Sequence, residues 1–154
     1  MENVMRTPIV ALALGATLIL TGCNEDSEGL LLGEWYCSSS MGEGGKANER
    51  ILYQEGGRRQ SLMEMIMPVG DNTFEVRSRT EGRWSLDGAA LTEVSDRVQV
   101  VNFVVDGREL NPDDPLVQSL VNGGIEGLGT TFTIEQLDNK VLVMSGSRGG
   151  CIRQ

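Results

Sequence analysis

Four glutamates are the first candidates for chemistry in this sequence. Glycoside hydrolysis requires two carboxyl groups, one as the acid and the other as base or nucleophile. Two pairs of residues have this type: Glu49 with Glu55, and Glu64 with Glu75. The reaction also needs a set separation between the two groups, and spacing along the chain does not fix one. Solvent-exposed strand faces are therefore the default interpretation of all four side chains.

The serines lack the partners that nucleophilic catalysis needs. Histidine is absent from the 154 residues, which removes the commonest general base near neutral pH. A serine of the run Ser38–Ser40 paired with Lys46 or Lys140 would require a buried lysine, and the glycine-rich surroundings do not favour burial. No catalytic set can be named, and we expect a protein that is not an enzyme.

Metal ligands are equally sparse. Met63, Met65 and Met67 alternate with other residues, so their thioethers share one face of a strand. Exported methionine arrays bind Cu(I), but without histidine, a CxxC pair or a second methionine cluster the favoured interpretation is adaptable core filler. Asp113-Asp114 lacks the alternating ligands of a calcium loop. We expect no metal and no cofactor. If the interior of the fold is open, the methionines form a compliant wall for an apolar ligand.

The charge balance restricts the partners. The chain has 22 acidic and 13 basic side chains, a formal charge of −9, and no run of basic residues. Proteins that bind nucleic acid neutralise its phosphates with lysine and arginine, so we expect no nucleic-acid partner.

The N-terminal segment has the features of an export signal. Arg6 supplies a positive charge, and Pro8–Leu20 is an apolar run of 13 residues, where a transmembrane helix needs about 20. The run ends in Leu20-Thr21-Gly22-Cys23, which resembles the lipobox of bacterial lipoproteins. The resemblance implies that residues 1–22 are a signal peptide, that Cys23 carries diacylglycerol, and that its new amine receives an acyl chain such as palmitate. Two or more acyl chains anchor a protein stably.

Two alternatives remain for this segment, an ordinary secretory signal with a coincidental cysteine or an uncleaved anchor. Translation starts at Met1 or at Met5, since Glu2 is unusual in a region that should be positive. In the Gram-negative lipoproteins that the motif resembles, Asp directly after the cysteine favours inner-membrane retention. Asn24 stands there instead, which implies a periplasm-facing protein of the cell outer membrane. Residues 23–31 are then the lipidated cysteine and a flexible polar tether.

From Leu32 onward, apolar and polar residues alternate in short segments, which predicts an all-β domain over residues 32–154. Glycine, aspartate and asparagine separate the segments and supply the turns. The candidate strands are Leu32–Ser39, Glu49–Glu55, Gln60–Met67, Thr73–Arg79, Gly82–Leu86, Ala90–Val94, Val98–Val105, Thr131–Leu137, Lys140–Met144 and Gly150–Arg153. We expect a single antiparallel up-and-down β-barrel of about 8 to 10 strands.

One short helix is expected before the last strands. Asp114 precedes Pro115, an arrangement typical of an N-cap followed by proline at the first helical position. A single apolar stripe follows, made of Leu116, Val117, Leu120 and Val121. Gly123 and Gly124 end the helix. Val98–Val105 is too apolar for a half-exposed strand, so its second face either lies under this helix or contains a bulge.

Two cysteines remain besides Cys23. Cys37 lies in the first predicted strand and Cys151 in the last, and an even exported pair predicts a disulfide, with two buried thiols as the alternative. If these strands are antiparallel with the cysteines opposite each other, Trp35 lies opposite Arg153. A guanidinium over an indole contributes about 0.5 to 2 kcal/mol. A first strand beside the last strand also closes the barrel and removes its exposed edges.

These residues resemble the lipocalin-like, or calycin, barrels. Gly33-Glu34-Trp35 opens the first strand, and Arg153 lies in the last strand, where that family packs a basic residue across the tryptophan. The segment from Gly82 to Gly88 is similar to a mid-barrel hairpin of small lipocalin-like bacterial domains. The resemblance implies an interior lumen. The candidate lumen-lining residues are Met63, Met65, Met67 and Trp84.

The sequence thus predicts a non-enzymatic binding module, anchored to the membrane by lipid, that takes a small apolar ligand or an envelope component such as a protein. The alternative is a periplasmic inhibitor of a basic exported enzyme, such as a lysozyme or a protease, steered by the charge of −9. An enclosed apolar lumen lined by Met63, Met65 and Trp84 favours ligand binding. A packed lumen with a protruding acidic loop near Ser38–Gly45 favours inhibition.

Overall fold

The computed structural model describes residues 24–111, 113–122, 127–146 and 149–154. Its helices are α1 (Asn24–Leu31) and α2 (Pro115–Asn122). Its strands are β1 (Gly33–Ser40), β2 (Lys46–Gln54), β3 (Arg58–Val69), β4 (Asn72–Asp87), β5 (Ala90–Val105), β6 (Arg108–Glu109), β7 (Gly129–Leu137), β8 (Val141–Met144) and β9 (Gly150–Arg153). The predicted signal peptide, Cys23, and the glycines Gly123 and Gly124 lie outside the described residues.

The strands form one antiparallel sheet that closes in a ring. Strands β1 to β5 pair in chain order, β5 pairs with β7, β7 to β9 pair in order, and β9 pairs with β1. The short β6 extends the sheet beside the end of β5. Helix α2 precedes β7, so the predicted all-β architecture, with its closed antiparallel sheet and a helix before the last strands, is confirmed.

The two ends of the ring differ. At the closed end, where α1 joins β1, the strands form the full circle, because β7 pairs with Ala90–Val94 of β5 and β9 pairs with Trp35–Ser38 of β1. At the open end, where β3 turns into β4, the second half of β5 pairs with β4 and β6. Helix α2 packs against β5. The fold therefore places a complete barrel at one end and a wider, partly walled space at the other.

Strands β4 and β5 are each 16 residues long, where the sequence predicts two shorter strands for each. The register between them shifts twice, and Asp96 and Val101 are the extra residues of β5. Gly82 lies at one shift, and a Cβ atom there would meet the carbonyl oxygen of Val94 at 2.1 Å. The breaks that the sequence predicts at residues 80–81 and 95–97 thus lie at a β-bulge, which bends a long strand around a barrel.

Helix α2 begins as predicted. The carboxylate of Asp114 accepts the backbone N–H of Leu116 at 2.9 Å, and Pro115 is the first helical residue. Val117 is buried, and α2 packs on the second half of β5. That strand also contains the bulge at Val101, which is one of the two explanations offered for its apolar sequence. The side chains of Leu120 and Val121 lie outside the described part of the structure.

Helix α1 occupies the segment for which the sequence predicts a flexible tether, so the structure differs there. Leu31 is fully buried, and its carbonyl oxygen accepts the indole N–H of Trp35 at 2.8 Å. The guanidinium of Arg153 donates to the carbonyl oxygens of Leu30 and, at 2.7 Å, of Leu32. These tertiary contacts outweigh the weak helix propensity of an acidic segment that contains glycine. Among the described residues, neither helix is long and apolar enough to cross a membrane.

The packed core lies toward the closed end. It is formed by inward-facing side chains of the ring together with the end of α1: Leu31, Trp35, Cys37, Ile51, Tyr53, Trp84, Leu91, Phe132, Leu142, Met144 and Cys151. Because inward positions recur at every second residue, β1, β2 and β3 continue the same inner face toward the open end. That continuation forms the candidate site.

Candidate functional site

A half-enclosed cavity of about 390 Å³ lies inside the open end of the barrel. Its wall is contributed by β3, β4, β5 and α2, and Ser78 is the one polar residue among the described residues that line it. The other lining residues are Met63, Met65, Met67, Val69, Phe74, Val76, Val98, Val100, Phe103 and Leu116. Val69 and Leu116 are also exposed at the surface, so the apolar wall continues out to the mouth.

The methionines lie where the sequence predicts a lumen wall. Met63, Met65 and Met67 occupy alternate positions of β3 and are all half-buried. Trp84, the fourth candidate, does not line this cavity. It is buried in the core, with its ring edge to face against Tyr53 at 5.8 Å between centroids, and its indole N–H donates to two backbone carbonyls of the adjacent hairpin. An indole that reaches hydrogen-bond acceptors at the closed end is fixed away from the open end.

A second cavity, of about 190 Å³, adjoins the first. The two share Met63 and Met65 in their walls. The remaining lining residues of the smaller cavity are Cys37, Ser39, Met41, Ala47, Glu49 and Phe132. Its wall therefore includes a carboxylate and a hydroxyl, whereas the larger cavity is almost wholly apolar.

A buried charge cluster includes Glu49 of the smaller cavity wall and Tyr53 of the packed core. The guanidinium of Arg59 donates from Nη1 to Glu93, and the hydroxyl of Tyr53 donates to the other oxygen of the same carboxylate. Nη2 of Arg59 lies 3.4 Å from Oγ of Ser61 and 3.8 Å from a carboxylate oxygen of Glu49. Arg59 and Glu93 are 5% and 4% exposed, so this ion pair is shielded from water. Breaking such a pair leaves an uncompensated buried charge.

The charge cluster was missed at the level of sequence, because charged residues in strands were assigned to the solvent face. For Glu49 that interpretation is wrong, since its side chain is 13% exposed and faces inward. The sequence does contain a signal that Arg59 faces inward. Arg59 and Ser61 continue the every-second-residue positions of Met63 and Met65 on the same strand. Extending the methionine face by two steps would have placed Arg59 inside.

The other three glutamates of the predicted carboxylate pairs do not converge on this site. Glu64 and Glu75 face outward, and Glu64 pairs with Arg77 at 3.3 Å on the surface. Glu55 is exposed in the turn between β2 and β3. Among the described residues, no cluster of acidic and cysteine side chains has the arrangement of a metal site.

The predicted disulfide and the adjacent pair of Trp35 and Arg153 join β1, which lines the smaller cavity, to β9. Cys37 and Cys151 are bonded, with their Cα atoms 4.0 Å apart, and this confirms the disulfide. The same register places Trp35 opposite Arg153, whose guanidinium carbon lies 4.3 Å from the centroid of the indole ring. Cys37 is itself part of the cavity wall, so the bridge holds that wall in place.

No protein-family model matches this chain, and a comparison with curated proteins finds no match. The class of this protein is therefore described from its fold and its site alone. The chain is an all-β protein with one closed antiparallel sheet, and the open end of that sheet holds an apolar interior cavity.

Proposed function

We propose that this protein is a binding module that takes a small apolar ligand into the larger cavity of its barrel. The observation that carries the proposal is the cavity of about 390 Å³ with its almost wholly apolar wall and exposed apolar mouth. Cavities for small ligands measure roughly 300 to 1,000 Å³ and are lined mainly by apolar side chains. An open lumen of this kind favours ligand binding over the inhibitor hypothesis.

The methionines support a ligand of variable shape. Their unbranched thioether chains adapt to irregular apolar surfaces, so Met63, Met65 and Met67 accommodate ligands that a wall of valine would exclude. Each buried methylene group of a ligand contributes about 0.8 kcal/mol, or about fourfold in affinity. Affinity is therefore expected to rise with the length of an alkyl chain until the cavity is full.

We further propose that Cys23 carries lipid and that the domain acts at a membrane facing the periplasm. The support is the sequence Leu20-Thr21-Gly22-Cys23 together with the disulfide, because disulfides persist in oxidising compartments. Native protein is expected to partition with membranes and to begin at a modified Cys23. Mass spectrometry of the isolated protein tests this, and an unmodified Cys23 or an intact Met1 would contradict it. The variant Cys23→Ser is expected to leave the membrane without unfolding.

The binding proposal is tested with residues 24–154, which contain the whole ring, its core and its disulfide. The probe is N-phenyl-1-naphthylamine, an uncharged fluorophore whose emission rises in apolar surroundings. Val100→Phe fills part of the cavity and is expected to weaken probe binding about tenfold. Val101→Phe, one residue along and on the outer surface, is the matched control and is expected to bind like the native protein. Equal binding by both variants would overturn the proposal.

A further inference from the structure

Three methionines from two separate parts of the chain line the smaller cavity. Met63 and Met65 belong to β3, and Met41 directly follows β1. At the level of sequence, the methionines of β3 were interpreted as core filler, because no histidine, CxxC pair or second methionine cluster accompanied them. The folded chain brings in one further thioether, that of Met41, from 22 residues before Met63.

Strand β2 and the residue before it place small side chains between Met41 and Met65. Ala47 pairs with Ser39 of β1 on one side and with Met65 on the other. The carbonyl oxygen of Gly45 accepts the backbone N–H of Met41 at 3.0 Å, and a Cβ atom added to Gly45 would lie 3.1 Å from Cβ of Met41. Since neighbouring strands are about 4.8 Å apart, Met41 and Met65 flank a narrow strip that neither small residue fills. Their flexible side chains therefore have room to bring the two sulfur atoms together above Ala47.

The chemistry of the three sulfur atoms favours a soft metal ion. Thioether sulfur is a neutral donor that selects Cu(I) over harder cations, whereas Ser39 and Glu49 of the same wall supply oxygen, which suits harder cations. Met63 and Met65 are half-buried, and Met41 is 49% exposed. An ion can therefore enter from solution beside Met41 and be bound by three unbranched side chains that adjust to it.

We propose that the smaller cavity binds one Cu(I) ion through the thioether sulfurs of Met41, Met63 and Met65. Met67, the next methionine of β3, belongs to the wall of the larger cavity and is not one of the three ligands. The inference does not depend on the proposed function, because the ion occupies the smaller cavity whether or not the larger one takes an apolar ligand. It gives the methionine face of β3 a second role, as part of a metal site.

Residues 24–154 suit a direct test because they have few soft donors. They contain no histidine, and their two cysteines are bonded to each other. Ag(I) is the first probe, since it is a soft ion like Cu(I) and needs no reductant. Isothermal titration with silver nitrate in chloride-free buffer is expected to show one ion bound per domain, with Zn²⁺ bound at least tenfold more weakly. Absence of Ag(I) binding, or Zn²⁺ binding of equal affinity, would overturn the inference.

Single substitutions show which sulfur atoms bind the ion. Met41→Leu and Met65→Leu keep an apolar side chain of similar volume, and each is expected to weaken Ag(I) binding at least tenfold. Met144→Leu is the matched control, because it removes a sulfur atom that is buried in the packed core, and it is expected to bind like the native domain. Native affinity in Met41→Leu, or an equal loss in Met144→Leu, would overturn the inference.

Ala47→Leu tests the placement of the sulfur atoms while all of them remain. Leucine fills the space between Met41 and Met65, so this variant is expected to bind Ag(I) at least tenfold more weakly than the native domain. Asn48→Leu adds the same side chain one residue along, on the opposite face of β2 beside the exposed Glu64, and is expected to leave binding unchanged. Undiminished binding by Ala47→Leu would overturn the inference.

Methyl NMR identifies the ligands with Cu(I) itself. The domain is labelled with ¹³C at its methionine methyl groups, and Cu(I) is added with ascorbate in the absence of oxygen. The signals of Met41, Met63 and Met65 are expected to shift until one equivalent has been added, while that of Met144 stays in place. An unshifted Met41 signal would overturn the inference.

Discussion

Arg153 holds three parts of the molecule together through one guanidinium. It stacks on the indole of Trp35 and donates to the carbonyl oxygens of Leu30 and Leu32, on either side of the end of α1. The register of the cysteines was enough to predict the pairing of Trp35 with Arg153. The carbonyl acceptors were not predictable, because they belong to a segment whose composition indicates a tether.

Arg153→Ala is therefore expected to lower the free energy of unfolding by about 3 kcal/mol, from lost stacking and lost charged hydrogen bonds. In a Trp35→Leu background the same substitution still removes the hydrogen bonds but no longer the stacking. Urea denaturation of the two single variants and the double variant should give a coupling energy of about 1 kcal/mol. Strictly additive effects would contradict the stacking.

Glu93 neutralises the most deeply buried guanidinium among the described residues. Glu93→Leu is expected to lower the free energy of unfolding by about 3 to 5 kcal/mol, because the buried Arg59 loses its near partner. Arg59→Leu combined with Glu93→Leu is expected to be more stable than Glu93→Leu alone. The exposed pair of Glu64 and Arg77 is the control, and its loss should change stability by less than about 1 kcal/mol. Urea denaturation measures all of these.

Asp138 gives the turn between β7 and β8 a dependence on pH. Its carboxylate accepts the backbone N–H groups of Lys140 at 2.7 Å and Val141 at 2.8 Å, and these bonds hold its pKa below the ordinary value of 3.8. The contribution of these hydrogen bonds to the stability of the fold is present above the pKa that Asp138 has in the unfolded chain. It is lost as the pH falls through the lower pKa that Asp138 has in the folded state. Asp138→Asn removes the titration. Its urea midpoint should differ from that of the native domain by a constant amount at neutral pH, begin to approach it as the pH falls toward the unfolded pKa of about 4, and converge with it only below the lower folded pKa. A parallel pH dependence in both proteins would contradict this.

Strands β4 and β5 show which features of a long strand the local sequence specifies and which it does not. Alternation identified most inward positions of β4 and β5, but the predicted strands were separated at residues 80–81 and 95–97, beside the bulge of Asp96, so the buried Thr80 was left out. A bulge and a turn use the same residue types, and only pairing with the neighbouring strand distinguishes them. Arg83 confirms the bulge as an organised feature, because its guanidinium binds both carboxylate oxygens of Asp96.

Gly82→Ala is expected to lower the free energy of unfolding by about 3 kcal/mol, since the added Cβ atom would lie 2.1 Å from a backbone oxygen. Gly29→Ala is the matched control within α1, where nothing lies within 4 Å of an added Cβ atom. It should instead stabilise by about 0.5 to 1 kcal/mol, because alanine favours a helix. Thermal or urea denaturation measures both. A neutral Gly29→Ala would indicate that α1 contributes little to the folded state.

At the scale of the whole molecule, one covalent bond closes the ring. Cys37 and Cys151 join β1 to β9 over a sequence separation of 114 residues. Replacing both by alanine is expected to lower the free energy of unfolding by about 4 to 5 kcal/mol on the chain-entropy model. Reduction of the native protein should have the same effect, which separates the bond from the side chains. An unchanged urea midpoint would contradict the assignment of ring closure to this bond.

The pairing of the first strand with the last was predictable from sequence, because one register accounts for two pairs of residues: Cys37 with Cys151, and Trp35 with Arg153. The interior of the open end was only half predictable. Apolar alternation identified the methionine wall, and its continuation along β3 also reaches Arg59. The burial of Arg59 nevertheless depends on its ion pair with Glu93, 34 residues away in the chain, and no local pattern identifies such a partner.

If Cys23 carries lipid as proposed, helix α1 also determines which way the barrel faces. It joins the closed end, whereas the smaller cavity extends to the far end of β1, about 26 Å away along an eight-residue strand. With Cys23 as the proposed lipid attachment, the eight residues of α1 span only about 12 Å between that anchor and the barrel. The closed end then lies against the membrane and the mouth points into the aqueous space. A ligand would arrive from the far side, from solution or from an opposing surface, and not by lateral diffusion out of the bilayer that holds the protein.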